Sequence, residues 1–245
     1  ATYACRGAGI GGETALQAAQ KLKGNVLSVA AAILQEEAAK LDMQAGWIID
    51  KASGQQRIEL AEIARIAYFR SDTLPPGTQA QLSVAHHYAP EGYPFAFTNG
   101  VQACHLELDV ETGFVKILKM WVVEDCGRVI NPLLVDEQIR GGVVQGLGAA
   151  FFEECTYGDS GQLTNGSLAD YLVPMAVEMP DIVVAHVETP TQDTELGAKG
   201  VGEAGTAAAS AAAMNAINDA MSPFGATIAQ VPMTPARILK ALGHI

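Results

Sequence analysis

Residues 195–221, ELGAKGVGEAGTAAASAAAMNAINDAM, constrain this chain more than any other stretch. Gly197, Gly200, Gly202 and Gly205 prevent a regular element up to Thr206, and the alanine-rich run that follows propagates a helix at almost no side-chain entropy cost. The outcome is a bare loop feeding a helix N-terminus. Backbone N–H groups without intrahelical partners and the positive end of the helix dipole meet there, which makes a seat for an anion or a polar cofactor. One carboxylate, Glu203, lies inside that seat.

Gly200, Gly202 and Gly205 also spell G-x-G-x-x-G, the spacing of dinucleotide-binding turns. That fingerprint needs a strand ending at the first glycine, and the nearest strand-like run, 182–188, is separated from it by the irregular 189–199. Glu203 would face a pyrophosphate with like charge, and too little chain follows to complete a nucleotide-binding half. A dinucleotide-binding protein is therefore the weaker reading. A bland reading of Glu203 also stands: a first-turn glutamate that complements the helix dipole.

Earlier segments repeat the same economy of side chains. Residues 2–12, TYACRGAGIGG, carry four glycines within seven residues after Cys5 and Arg6, which suits either close backbone approach to a ligand or a flexible tail. From Glu13, apolar residues recur at spacings of three and four and predict a helix to Leu34, with Gly24 as a break. A second helix is expected over 60–68, and a strand over 82–88 where apolar residues alternate. His86 and His87 on that strand would point to opposite faces, so a shared metal ion is not expected. Residues 97–110 and 114–124 form a hairpin across 111–113, with His105 and Glu107 as ordinary sheet surface. The second arm runs into 126–154, CGRVINPLLVDEQIRGGVVQGLGAAFFEE, where Asn131 and Pro132 stop the strand and a helix begins. Gly141, Gly142, Gly146 and Gly148 strip one face of it for tight packing or for a ligand. A strand over 182–188, the central alanine-rich helix and a short closing helix over 233–242, capped by Thr234 with Pro235 at its first position, complete the series.

Composition limits the function classes. A net charge of −12 argues against a nucleic-acid backbone or an anionic membrane surface as partner. Cys5, Cys104, Cys126 and Cys155 lie far apart with no C-x-x-C, so no zinc or iron–sulfur site is read from them; free thiols in a cytoplasmic protein are the default. No apolar run approaches the roughly 18 residues of a membrane span. The chain starts at Ala1 within what reads as a site-like loop, as expected of a fragment or a processed chain.

Taken with its flanks, GAKGVGEAGT resembles the active-site loop of the molybdenum hydroxylases, the family of xanthine dehydrogenase, aldehyde oxidase and carbon monoxide dehydrogenase large subunits. The block from Cys126 to Gly148 resembles the family's pterin-binding segment in its cysteine-glycine, asparagine-proline, glutamine and glycine-pair order. The resemblance implies an α+β fold of mixed sheets with helices packed on their faces. It implies one C-terminal molybdopterin-binding domain over 1–245, divisible into two α+β subdomains at about residue 75, the first joined by part of the C-terminal half. It places a catalytic base on Glu203 and cofactor contacts on Ala4, Cys5, Arg6, Cys126, Gln138, Gly200, Val201 and Gly202, although Cys126 alone also reads as a small buried hydrophobe and Gln138 as a helix-surface amide. It assigns no metal ligand to the chain. The implied activity is hydroxylation of an electrophilic carbon, in an aromatic heterocycle or an aldehyde, with water-derived oxygen. The implied cofactor is molybdopterin, in its plain or cytosine dinucleotide form, with iron–sulfur clusters and FAD on partner chains. The family's upstream cofactor loops have no counterpart in these residues, so the expected partners are the rest of the molybdopterin subunit, an iron–sulfur subunit and a flavin subunit. A non-catalytic structural or assembly subunit is the alternative from a different class, and molybdenum analysis of the native assembly separates the two.

Overall fold

The structure, a computed structural model, describes residues 3–92 and 96–245, so Thr2 of the glycine-rich start lies outside them. The chain divides into two units, Ile10–Ala89 and a second made of Ala1–Gly9 with Pro90–Ile245.

In the unit Ile10–Ala89, α1 (Glu13–Leu34) and α2 (Leu60–Phe69) accompany an antiparallel sheet ordered β1 (Leu41–Gln44), β2 (Trp47–Asp50), β3 (Gln56–Glu59). Ala45 and Gly46, both with positive φ, make the two-residue turn between β1 and β2, the geometry that matches strand twist. Val29, Ala30, Ile48 and Ile63 are fully buried between helices and sheet. Helix α1 runs unbroken through Gly24, contrary to the expected break. An isolated glycine costs only about 1 kcal/mol in a helix, and burial of Val26, Val29 and Ala30 just beyond it outweighs that cost.

The strand expected over 82–88 does not form either. The alternation is real, with every second residue from Leu82 to Tyr88 partly buried, but no strand pairs with the segment. Side chains hold it instead: Tyr68 Oη donates to Leu82 O at 3.3 Å, and His86 bonds Lys21 at 2.9 Å and Gln17 at 2.8 Å. Neither histidine belongs to a group able to hold a metal ion among the described residues.

In the other unit, β4 (Asn99–Leu108) and β5 (Val115–Asp125) form the expected hairpin, and β6 (Asp181–His186) adds parallel to β5. Helices α3 (Pro132–Phe151) and α4 (Ala204–Met221) pack together, and α5 (Pro235–Leu242) closes the chain. Asn131 caps α3 by accepting from Leu134 N at 3.3 Å, and Thr234 caps α5 by accepting from Arg237 N at 3.4 Å. Met120, Val122, Ile139, Val143, Leu147 and Ile217 form the centre of the core. Two of the four glycines of α3 receive α4: a β-carbon on Gly142 would lie 3.0 Å from Gly205 Cα, and one on Gly146 2.7 Å from Ala209 Cβ, whereas Gly141 has nothing within 4 Å and Gly148 faces Glu153 and Pro174. One on Gly205 would collide with Ile139 O and stand 2.9 Å from Val143 N. Thr206 Oγ1 and Ser210 Oγ then donate to the α3 carbonyls of Gly142 and Gly146 at 3.0 and 2.6 Å. At Gly142 and Gly146 the close neighbour is a helix.

Candidate functional site

The two motif blocks, far apart in sequence, are bonded into one loop system. Lys199 N donates to Cys126 O at 2.7 Å, Arg128 N donates to Gly197 O at 3.0 Å, and Gly127 and Ala198 form an antiparallel bridge. Asp125, the last residue of β5, braces the junction. Its Oδ1 accepts from Gly127 N at 2.9 Å and Thr189 N at 3.1 Å, and its Oδ2 accepts from Lys199 Nζ at 3.2 Å and from Thr189 Oγ1. Burial opposes ionisation of this carboxyl, but the bonds from Thr189, Gly127 and Lys199 prevail and hold it well below the usual carboxylate range.

Around this junction stand most of the residues singled out from the sequence. Gln138 Nε2, on α3, donates to Gly202 O at 2.8 Å. Cys5 sits in a left-handed turn with Ala4 and packs on the glycines: a β-carbon on Gly200 would lie 2.5 Å from Cys5 Cβ, and one on Gly202 3.3 Å from Cys5 Sγ. A cavity of about 340 Å³ is lined by Cys126, Arg128, Gln138, Lys199, Val201 and Gly202, among others. Ala8 also lines it, whereas Ala4, Cys5 and Arg6 do not; the Arg6 guanidinium lies 5.3 Å above the Tyr3 ring. A larger groove of about 640 Å³ between the hairpin end and the end of α3 contains none of these residues, so size alone does not locate the site.

Glu203 occupies the N-cap of α4 with φ −116° and ψ 6°. Its carbonyl accepts from Thr206 N at 3.1 Å and Ala207 N at 3.2 Å, while its exposed side chain makes no capping bond. The carboxylate therefore stands at the positive end of the helix, open to a partner from outside the described residues. Burial pushes the Cys126 thiol up, and the nearby carboxylates of Asp125, Glu188 and Glu124 add to that, so Cys126 is a neutral thiol suited to contact rather than to nucleophilic attack.

Sequence reasoning missed three polar residues behind the loop: Gln102 on β4, Glu124 on β5 and His186 on β6. A signal existed for all three. Gln102 shares the inward stripe of β4 with Cys104, Leu106 and Leu108, Glu124 that of β5 with Met120 and Val122, and His186 that of β6 with Ile182 and Val184, so each is a polar residue at an apolar position.

The sequence of residues 1–180 matches the model of the molybdopterin cofactor-binding domain. The chain belongs to that family. The nicotine 6-hydroxylase large subunit of Paenarthrobacter nicotinovorans is 38% identical over 240 residues, a match covering 98% of this chain and 29% of that protein. The carbon monoxide dehydrogenase large chain of Hydrogenophaga pseudoflava is 30% identical over 241 residues, again 98% of this chain and 29% of the relative. The crystal structure of quinoline 2-oxidoreductase from Pseudomonas putida 86 superposes with a TM-score of 0.88 at 36% identity, over 99% of this chain and 30% of that one. The fold is thus the expected α+β arrangement of the molybdopterin-binding domain, and the chain spans about 29% of the length of these curated relatives. Among the described residues no helix is long and apolar enough to cross a membrane.

Proposed function

We propose that this chain is the C-terminal part of a molybdopterin-dependent hydroxylase large subunit, and that Glu203 is its general base. The reading is carried by one observation: the two motif blocks, bonded together at Cys126–Lys199, present the Glu203 carboxylate exposed and without a capping bond at a helix start. The donors fit the cofactor. The Gln138 amide, the neutral Cys126 thiol and the exposed Arg128 guanidinium line a cavity beside bare glycine backbone, which suits a flat polar heterocycle carrying phosphate. Gln138, Cys126 and the Gly200, Val201 and Gly202 backbone would hold it, with Ala4, Cys5 and Arg6 closing the same loop system. When bound, the cofactor supplies a Lewis-acidic, redox-active molybdenum.

The Glu203 carboxylate accepts the proton of the water-derived oxygen as that oxygen attacks an electrophilic carbon of an aromatic heterocycle or aldehyde and opens its C=N or C=O π bond; the hydrogen and electron pair that then leave the carbon would pass to the redox-active cofactor that Gln138, Cys126 and the glycine backbone would hold. The helix start orients it, and the bonds of Asp125 to Lys199 and Thr189 keep its loop from collapsing into the cavity. The names of the relatives, a large subunit and a large chain, support an assembly of several subunits; the remaining part of the molybdopterin subunit, an iron–sulfur subunit, a flavin subunit with FAD and a place in the cytoplasm belong to the proposal. The cytosine dinucleotide form of the cofactor belongs to the same proposal.

General-base catalysis contributes roughly 10²- to 10⁴-fold, so Glu203→Gln in the complete enzyme is expected to retain molybdenum and pterin yet lose at least about two orders of magnitude in turnover. Near-normal turnover removes Glu203 from the mechanism. Loss of the cofactor as well assigns it a structural role, and an intact native assembly without molybdenum favours the non-catalytic alternative.

A further inference from the structure

In the unit that holds the site, the sheet is covered on one side only. Along β5, Met120 and Val122 are fully buried in the core shared with α3 and α4, whereas Trp121 and Val123, which alternate with them, are 40% and 41% exposed. The register carries this outer set across all three strands. Val101 on β4 stands opposite Val123, and Val123 opposite Ala185 on β6; Ala103 stands opposite Trp121, and Trp121 opposite Val183. All six are exposed, Val101 by 72%, and none carries a charge. Val187, which follows β6 and donates its N–H to Glu124 O at 3.0 Å, extends the same face by alternation.

The row beyond this patch fixes its one aromatic side chain. His105 stands opposite Lys119, and Lys119 opposite Asp181. The His105 ring stacks on Trp121 at 6.5 Å, the Lys119 ammonium lies 5.8 Å from the centre of the same ring, and that ammonium is 3.5 Å from Asp181 Oδ2. Trp121 is thus a preformed anchor, of the residue type that most often carries the energy of a buried interface. A parallel pair such as β5 and β6 is ordinarily buried on both faces, and two adjacent rows of uncharged apolar side chains across three strands make the kind of patch that an interface core uses.

We propose that this face is an interface with the remaining part of the molybdopterin subunit, a segment of the same polypeptide outside residues 1–245 that lays an apolar layer over the sheet. Three observations favour this occupant. More than two thirds of the length of each relative lies outside the stretch matched here, and on the reading of this chain as part of a large subunit that length belongs to the same polypeptide. The face also runs directly into the site: Val123 lies two residues before Asp125 and Val187 two before Thr189, and Asp125 accepts from Thr189 N at 3.1 Å. A body that completes the cofactor site at the ends of β5 and β6 therefore abuts the patch. A second copy is opposed by charge, since each chain carries a net −12. The inference rests on the large-subunit reading and is independent of the role of Glu203.

The test uses the complete enzyme. Hydroxyl-radical oxidation of Trp121 should be at least about tenfold slower in the native enzyme than in the denatured one, as expected of an anchor excluded from water. A benzophenone amino acid replacing Val101 should, on irradiation, cross-link to a residue of the same polypeptide outside 1–245, located by peptide mass spectrometry. Val123→Asp would bury an unpaired charge and should lower the yield of assembled, molybdenum-loaded enzyme by at least about tenfold. Weaker protection of Trp121 overturns the proposal, as does Val123→Asp assembling normally. So does a cross-link to a second copy, to another subunit or to residues 1–245, or no cross-link at all. If the benzophenone variant does not assemble, a short amine-reactive cross-linker acting at Lys119 of the wild type identifies the neighbour by the same criteria. Failure of the large-subunit reading is distinct: the native polypeptide would then carry no molybdenum or be no longer than these residues, as read by metal analysis and intact mass. A longer, molybdenum-loaded polypeptide with a freely oxidised Trp121 overturns the interface alone.

Discussion

The two units of this chain hold their ion pairs differently, although each buries one carboxyl group, Glu13 in the first and Glu124 in the second, both 2% exposed. In Ile10–Ala89 the core cluster is aliphatic, from Val26 to Ala67, and the ion pairs Lys23–Asp42, Arg65–Glu62 and Arg70–Asp72 lie at the surface. In Pro90–Ile245 a carboxyl group is buried on the sheet at Glu124, and an ion pair, Asp125–Lys199, has side chains only 13% and 12% exposed. Surface pairs contribute little, while a buried polar group is costly unless its partners are all in place. Away from Glu13, the surface pairs of the first unit therefore tolerate change. The second holds its loops by interactions that fail when a single member is lost, and those interactions converge on the residues assigned to the site.

Glycine substitutions break or sharpen this contrast most strongly. Gly205→Ala drives a β-carbon into Ile139 O at the contact of α3 with α4, and should destabilise the protein by about 3 kcal/mol, the upper range of overpacking, as read by denaturant unfolding. Asp125→Asn comes next. Removing one member of a nearly buried pair while keeping the shape should cost about 2 kcal/mol, whereas Glu62→Ala at an exposed pair should leave the unfolding midpoint unchanged, and equal effects would erase the contrast.

A pH series separates the two adjacent carboxyl groups. Burial raises the Glu124 carboxyl in the folded state, so its contribution is fully present below the ordinary carboxylate value and is lost as pH rises through about 7. Asp125 is depressed, so its contribution is present above the ordinary value and is lost as pH falls below it. Thermal midpoints measured from about pH 2 to 8 should therefore decline on the alkaline side in the wild type and stay flatter there in Glu124→Gln. Asp125→Asn should flatten the acid side instead. The smallest effect has the opposite sign: Gly24→Ala adds a methyl group where nothing lies within 4 Å and should stabilise α1 by up to about 1 kcal/mol. Destabilisation there would mean that the first unit is as tightly constrained as the site unit.

By itself the sequence determined what depends on neighbours a few residues away. The caps at Asn131 and Thr234, the hairpin over 111–113, the alanine-rich α4 and the bare loop before it all follow from local backbone preferences, and the motif order of the two blocks pointed to the family. Tertiary structure alone decided the rest. It paired nothing with the alternating segment 82–88, carried α1 through Gly24, turned Gly142 and Gly146 of α3 toward α4, and gathered Gln102, Glu124 and His186 behind Glu203. Alternation shows that one face of a segment is buried but not what buries it, and a polar residue on an apolar stripe announces a partner without naming it. Gln102 meets Gly205 across 103 positions of chain, and no local pattern encodes a contact that only the packing of a helix on a sheet creates.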